Sequence, residues 1–175
     1  MSGLNRVLSA GLLVLFVVAG CVPPPSSKTG IPRVPTAAEK EDDASGDGPD
    51  SRTEPGPDSP DAETEFTETA TGLKYRILRK GAGTKPLATD RVSVHYRGTL
   101  DDGSEFDSSY DRGKPAKFGL NGVIAGWTQG LQLIGEGGKI ELEIPYQLAY
   151  GEEGRPGSIP PKATLHFIVE LLSIQ

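Results

Sequence analysis

The side chains suited to chemistry are few, and their spacing excludes most reactions. Two histidines are present, His95 and His166. Both fall on the polar phase of alternating runs, which reads as the outer face of strands, and neither has a cysteine or carboxylate cluster at metal-ligand spacing. No metal is expected. Asp101-Asp102-Gly103 has the form of a turn rather than of a paired acid and base. No glycine loop that could cradle phosphate precedes a helix. One cysteine, Cys21, leaves no internal disulfide to form. What remains is aromatic. The only tryptophan, Trp127, sits in residues 123–134, VIAGWTQGLQLI. A large aromatic in such a stretch is either core or the floor of a pocket.

Something must hold that aromatic in place. Read as a short helix, residues 123–134 put Trp127, Leu131 and Ile134 at i, i+4 and i+7, on one face. Gly126 and Gly130 leave room for a close approach by another backbone or a ligand. Gly135, Gly137 and Gly138 end the segment. About two turns of helix are unstable alone, so strands must wrap the apolar face. A strand is expected over residues 73–78. Val92, Val94, Tyr96 and Leu100 alternate with Ser93, His95, Arg97 and Thr99. Ile140, Leu142 and Ile144 alternate with Lys139, Glu141 and Glu143, and Leu165, Phe167, Val169 and Leu171 with His166, Ile168 and Glu170. This period of two predicts an antiparallel sheet with one wet and one apolar face, the latter covered by a single short helix.

The rest of the chain differs in kind. Residues 1–20 read as a signal peptide: Arg6 supplies the charge, residues 7–18 are almost wholly apolar, and about 20 such residues would be needed to span a membrane. Val18-Ala19-Gly20-Cys21 resembles a bacterial lipobox, which implies a mature lipoprotein beginning at a lipidated Cys21 and held on the membrane by several acyl chains. No aspartate follows Cys21, which favours the outer membrane if the cell is Gram-negative. Residues 21–66 read as a disordered, acidic, proline-rich tether: residues 22–66 hold 11 acidic residues against 4 basic ones and nine of the 15 prolines. The tether carries all the excess negative charge, since residues 67–175 hold 13 charges of each sign. A neutral domain with no basic stripe excludes nucleic acid as a partner.

The runs VSVHYRGTLDDGSEFDSSYDRGKP, VIAGWTQGLQLI, LAYGEEG and IPPKATLHFIVELL, in this order, resemble the catalytic domain of FKBP-type peptidyl-prolyl cis-trans isomerases over residues 67–175. The resemblance implies an α+β fold, an antiparallel sheet of five to six strands wrapped around one short helix, with a substrate pocket between them. It makes Trp127 the floor under a prolyl ring, Tyr96 and Phe106 a wall, and Phe167 the base. Asp107 then lies at the pocket edge, with Arg112 beside it and Tyr96. Val123 offers a side chain, Ile124 a backbone amide, Tyr150 a hydroxyl for a substrate carbonyl, and Ile159 closes the rim. Asp107 has two open roles, responding to the twisted carbonyl or ordering Tyr96 and Arg112. Ala116, Arg155 and Ser158 depart from the family pattern, where many members carry an aromatic or less polar residues; these bear on macrolide affinity and substrate preference.

The implied activity is acceleration of X-Pro bond rotation without a cofactor or covalent chemistry, on unfolded or secreted proline-containing polypeptides in the bacterial cell envelope. A macrolide inhibitor is an implied ligand. The alternative is a chaperone that grips the same segments in the same pocket, with isomerisation incidental.

Overall fold

The structure is a computed structural model and describes residues 52–175. The expected signal peptide, the lipobox-like run ending in Cys21 and the expected tether up to residue 51 lie outside these residues. Among the described residues, no helix is long and apolar enough to cross a membrane.

In chain order the elements are β1 (Thr67–Glu68), β2 (Lys74–Arg79), β3 (Arg91–Thr99), β4 (Glu105–Ser108), β5 (Ala116–Gly119), α1 (Ala125–Leu131), β6 (Lys139–Ile144), a single 3₁₀ turn (Tyr146–Leu148) and β7 (Leu165–Ile174). All strand pairs are antiparallel, in the order β1-β2-β6-β7-β3-β4, and β5 shares one edge of β3 with β4. The sheet has seven strands rather than the expected five to six. The surplus comes from short pieces: β1 has 2 residues, and β4 and β5, with 4 each, divide the length of β3 between them. The expected first strand is present, shifted by one residue to Lys74–Arg79.

The alternation of apolar side chains decides where the core lies. Val92, Val94 and Tyr96 of β3, Ile140, Leu142 and Ile144 of β6, and Leu165, Phe167 and Val169 of β7 are all buried, together with Trp127, Leu131 and Ile134. The helix is held by this packing and not by its ends. Its N-cap is Ile124, with no side-chain cap bond, and its first turn has no acidic residue. The two helical glycines make the approach possible. A Cβ at Gly126 would stand 2.4 Å from Ile144 Cγ2, and one at Gly130 would stand 2.7 Å from Leu142 Cδ2. The close neighbour is thus β6, through its side chains. The Thr128 hydroxyl ties the helix to the turn before it by donating to Leu120 O at 2.6 Å.

Two expectations are corrected on the face turned away from α1. His95 does point to that face, but it is buried: Tyr110 stacks on its ring at 4.7 Å, and its Nδ1 lies 2.9 Å from the Ser109 hydroxyl. Nor is the segment before Thr67 free of the fold. Ser59 N–H donates to Leu78 O at 2.9 Å, and Glu63 N–H to Ile77 O at 3.0 Å. The Glu63 carboxylate in turn accepts from Ile77 N–H at 2.9 Å. These bonds cap the outer edge of β2, where unpaired backbone groups would otherwise invite strands from other molecules. A count of apolar residues cannot see a segment held by backbone bonds and ions.

Candidate active site

The site is built around the indole. Three rings stand roughly edge-on to it: Tyr96 from β3 at 5.1 Å, Phe167 from β7 at 5.3 Å and Phe118 from β5 at 5.5 Å between centroids. Tilted contacts of this kind suit the ring quadrupoles better than flat stacking. Phe106, half-buried on β4, meets Phe167 at 5.5 Å in a T-shaped contact and extends the wall towards solvent. Val123, Ile124, Tyr150 and Ile159 are buried in the same cluster. All ten side chains the sequence points to thus share one apolar neighbourhood or its polar edge.

That edge is a triangle. The Tyr96 hydroxyl donates to Asp107 Oδ2 at 2.6 Å. Arg112 donates through Nη1 to Asp107 Oδ1 at 2.6 Å and through Nη2 to the Tyr96 oxygen at 2.8 Å. The guanidinium also lies over the Tyr96 ring, 5.4 Å from its centroid. Burial, and then the charge and hydrogen bond of Asp107, push the Tyr96 pKa well above its usual value. Burial disfavours the charged form of Arg112, but its bonds to Asp107 and Tyr96 outweigh this and raise its pKa. At neutral pH the wall therefore carries a neutral phenol that donates to Asp107 and a guanidinium that stays charged.

Trp127 itself is 0% exposed, and its indole N–H has no hydrogen-bond partner. The prolyl seat implied by the resemblance is covered, so a substrate ring can touch the indole only when side chains at the rim part. The rim loop is fixed by its backbone. Arg155 N–H donates to Ile159 O at 2.7 Å, and Ile159 N–H to Arg155 O at 2.9 Å. Arg155 and Ser158, which depart from the family pattern, therefore serve a turn that holds Ile159 in place. Ala116 lies on β5 opposite Val94.

Sequence reasoning missed three residues. Phe118 completes the ring of aromatic edges. The Ser109 hydroxyl accepts Tyr96 N–H at 2.8 Å and so fixes the strand carrying the wall. Gly98 lies where Phe106 and Phe167 meet: a Cβ there would stand 2.7 Å from Phe106 Cζ and 2.7 Å from Phe167 Cε1. A glycine inside an otherwise bulky strand is itself a signal of close approach. Among the described residues, no group of three or more His, Cys, Asp or Glu could hold a metal ion.

A family model described as FKBP-type peptidyl-prolyl cis-trans isomerase matches residues 82–172, just over half of the chain. An isomerase of this type from Aeromonas hydrophila, FkpA, is 57% identical over 107 residues, which are 61% of this chain and 40% of that protein. The FKBP-type 22 kDa peptidyl-prolyl cis-trans isomerase of Escherichia coli is 56% identical over 106 residues, 61% of this chain and 52% of that one. The chain thus matches about half or less of the length of these relatives. The crystal structure of FkpA from Escherichia coli matches with a TM-score of 0.63 and 52% identity, covering 65% of this chain and 53% of that one.

Proposed function

The chain belongs to the FKBP-type peptidyl-prolyl cis-trans isomerase family, and we propose that it speeds rotation about X-Pro bonds in unfolded or secreted polypeptides. The observation that carries this reading is the cage of three ring edges around Trp127, with one polar triangle at its margin. An X-Pro amide is held planar by resonance behind a barrier of about 20 kcal/mol, and uncatalysed exchange takes roughly 10–100 s. The planar amide has charge drawn from nitrogen to oxygen, and the twisted amide has less. An apolar cage therefore favours the twisted form relative to water, which lowers the barrier without a nucleophile or proton relay.

Each side chain then has a task. The prolyl ring enters past Phe106, Val123, Tyr150 and Ile159 and lies on Trp127. Phe167 and Tyr96 hold it from the sides, and the Tyr150 hydroxyl and Ile124 amide anchor the flanking peptide. Asp107 acts by ordering Tyr96 and Arg112. Both its oxygens are already engaged, Oδ2 by the phenol and Oδ1 by the guanidinium. A macrolide would compete for the same cage.

The test is a protease-free assay of a short X-Pro peptide with the full chain. Faster cis-trans exchange, lost on adding a macrolide, is the expected result. Exchange at the spontaneous rate would end the reading, and suppression of aggregation without catalysis would turn it into the chaperone reading.

We further propose that the protein is tethered to the bacterial cell envelope through lipid on Cys21, supported by Val18-Ala19-Gly20-Cys21 and the apolar run before it. Labelled palmitate should be incorporated by the wild-type chain and not by Cys21→Ser. Equal labelling of the two would sink this proposal.

A further inference from the structure

The face of the sheet turned away from α1 carries an arrangement that isomerisation does not use. Ladder partners Arg79, Lys139, Glu170 and His95 form one row across β2, β6, β7 and β3. Charged side chains on an outer face ordinarily sit in water. Here Glu170 is 0% and Lys139 5% exposed, because residues 52–58 lie over them. The Gly56 N–H donates to Glu170 Oε1 at 2.8 Å. Lys139 Nζ donates to Gly56 O at 2.8 Å and to Asp58 Oδ1 at 2.6 Å. Arg79 donates to Pro57 O at 2.6 Å. At the far end, Arg52 Nη1 stands 3.2 Å from Glu170 Oε2, and Arg97 donates to Glu54 at 3.2 Å.

We propose that this row is a second peptide-binding site, separate from the proline pocket, and that its ligand is the Pro-Gly-Pro segment of the same chain, residues 52–58, held as a strap. The two backbone groups of one residue are read by opposite charges: the Gly56 N–H by a buried carboxylate, its carbonyl by a buried ammonium. Charge-assisted bonds of this kind are the strong ones, and more so where water is excluded. A Cβ at Gly56 would stand 2.7 Å from Arg52 Nη1 and 3.0 Å from Glu170 Oε1, so the ends of the two side chains that pair over the strap would have to move aside. Pro55 and Pro57 suit it because their backbones are already restricted and they have no N–H to leave unpaired. The strap precedes residues 82–172, which the family model matches, while Lys139, Glu170 and Arg97 lie within them. Strap and proline pocket occupy opposite faces, so releasing one leaves the other in place.

The experiment uses the full chain and two variants, Gly56→Ala on the strap and Glu170→Gln on the sheet. Hydrogen exchange at the position-56 amide and tryptic cleavage after Arg52 report the strap, and X-Pro peptide exchange reports the pocket. In the wild type the amide at position 56 is protected at least 100-fold over an unstructured peptide. Each variant should lose at least tenfold of that protection and be cut after Arg52 at least tenfold faster, with isomerisation within twofold of wild type. An unprotected amide at position 56 in the wild type would overturn the proposal. So would unchanged protection and cleavage in Gly56→Ala, which alters only the strap and so does not depend on how the sheet tolerates a change at Glu170.

Discussion

Each face of this sheet has a dry patch, and the two are made by opposite means. On the α1 side, Trp127 is enclosed by the edges of Tyr96, Phe118 and Phe167, and its one polar atom has no partner. On the other side, Glu170 and Lys139 are buried under residues 52–58, where charges meet backbone groups and other charges. Apolar contacts are non-directional, so a prolyl ring can replace side-chain contacts around the indole at small cost. Contacts to a buried ion are directional, and losing one strands a charge. On the proposed function the first face exchanges its contents, while the second keeps them.

The strongest way to break this comparison is Trp127→Ala. It should abolish most X-Pro isomerisation and cost about 3–5 kcal/mol in denaturant unfolding, because the cavity it leaves collapses only partly. Retained turnover would show that the indole is core and nothing more. Deleting residues 1–64 attacks the other face. Water then reaches Glu170 and Lys139, so the loss should be smaller, about 1–3 kcal/mol by urea unfolding, with the isomerisation rate of the folded fraction unchanged. Gly98→Ala should wedge Phe106 from Phe167, cost about 1–3 kcal/mol and slow turnover without touching Trp127.

A pH titration sharpens the comparison further. The Tyr96 pKa is raised in the fold, so the stability Tyr96 contributes is complete below the unfolded value of about 10 and falls as pH rises above it, where the unfolded chain loses the proton first. Tyr96→Phe should remove that part of the alkaline slope in thermal unfolding curves; an unchanged slope would contradict it. The smallest effect belongs to the exposed pair of Lys162 and Glu152, 3.3 Å apart. Lys162→Ala should change stability by less than about 0.5 kcal/mol, and a larger change would mean that the rim loop depends on more than its backbone turn.

The helix and the long strands were legible because burial on one face imposes a period on sequence. Trp127 and Leu131 were placed by a spacing of 3.6, and the cores of β3, β6 and β7 by a spacing of two; the helix is shorter than the expected residues 123–134, and Ile134 is buried beyond its end. Phe118 was not, because β5 is four residues long and shows no period. The triangle of Tyr96, Asp107 and Arg112 came from family resemblance; no local pattern links a strand tyrosine to an arginine 16 residues on. The outer face was misread for a physical reason. Glu170 and Lys139 look like ordinary solvent-facing residues of alternating strands, and residues 52–58 look like linker by composition. What joins them is a set of hydrogen bonds between positions more than 80 apart in sequence.

The central claim is that the cage around Trp127 lowers the barrier to rotation about an X-Pro bond. The most direct measurement is NMR exchange spectroscopy on a short X-Pro peptide mixed with a small fraction of the full chain. Exchange peaks between cis and trans resonances should appear at mixing times of a second or less, where the free peptide, which exchanges over roughly 10–100 s, shows none. A correctly folded chain that produces no such peaks would contradict the account.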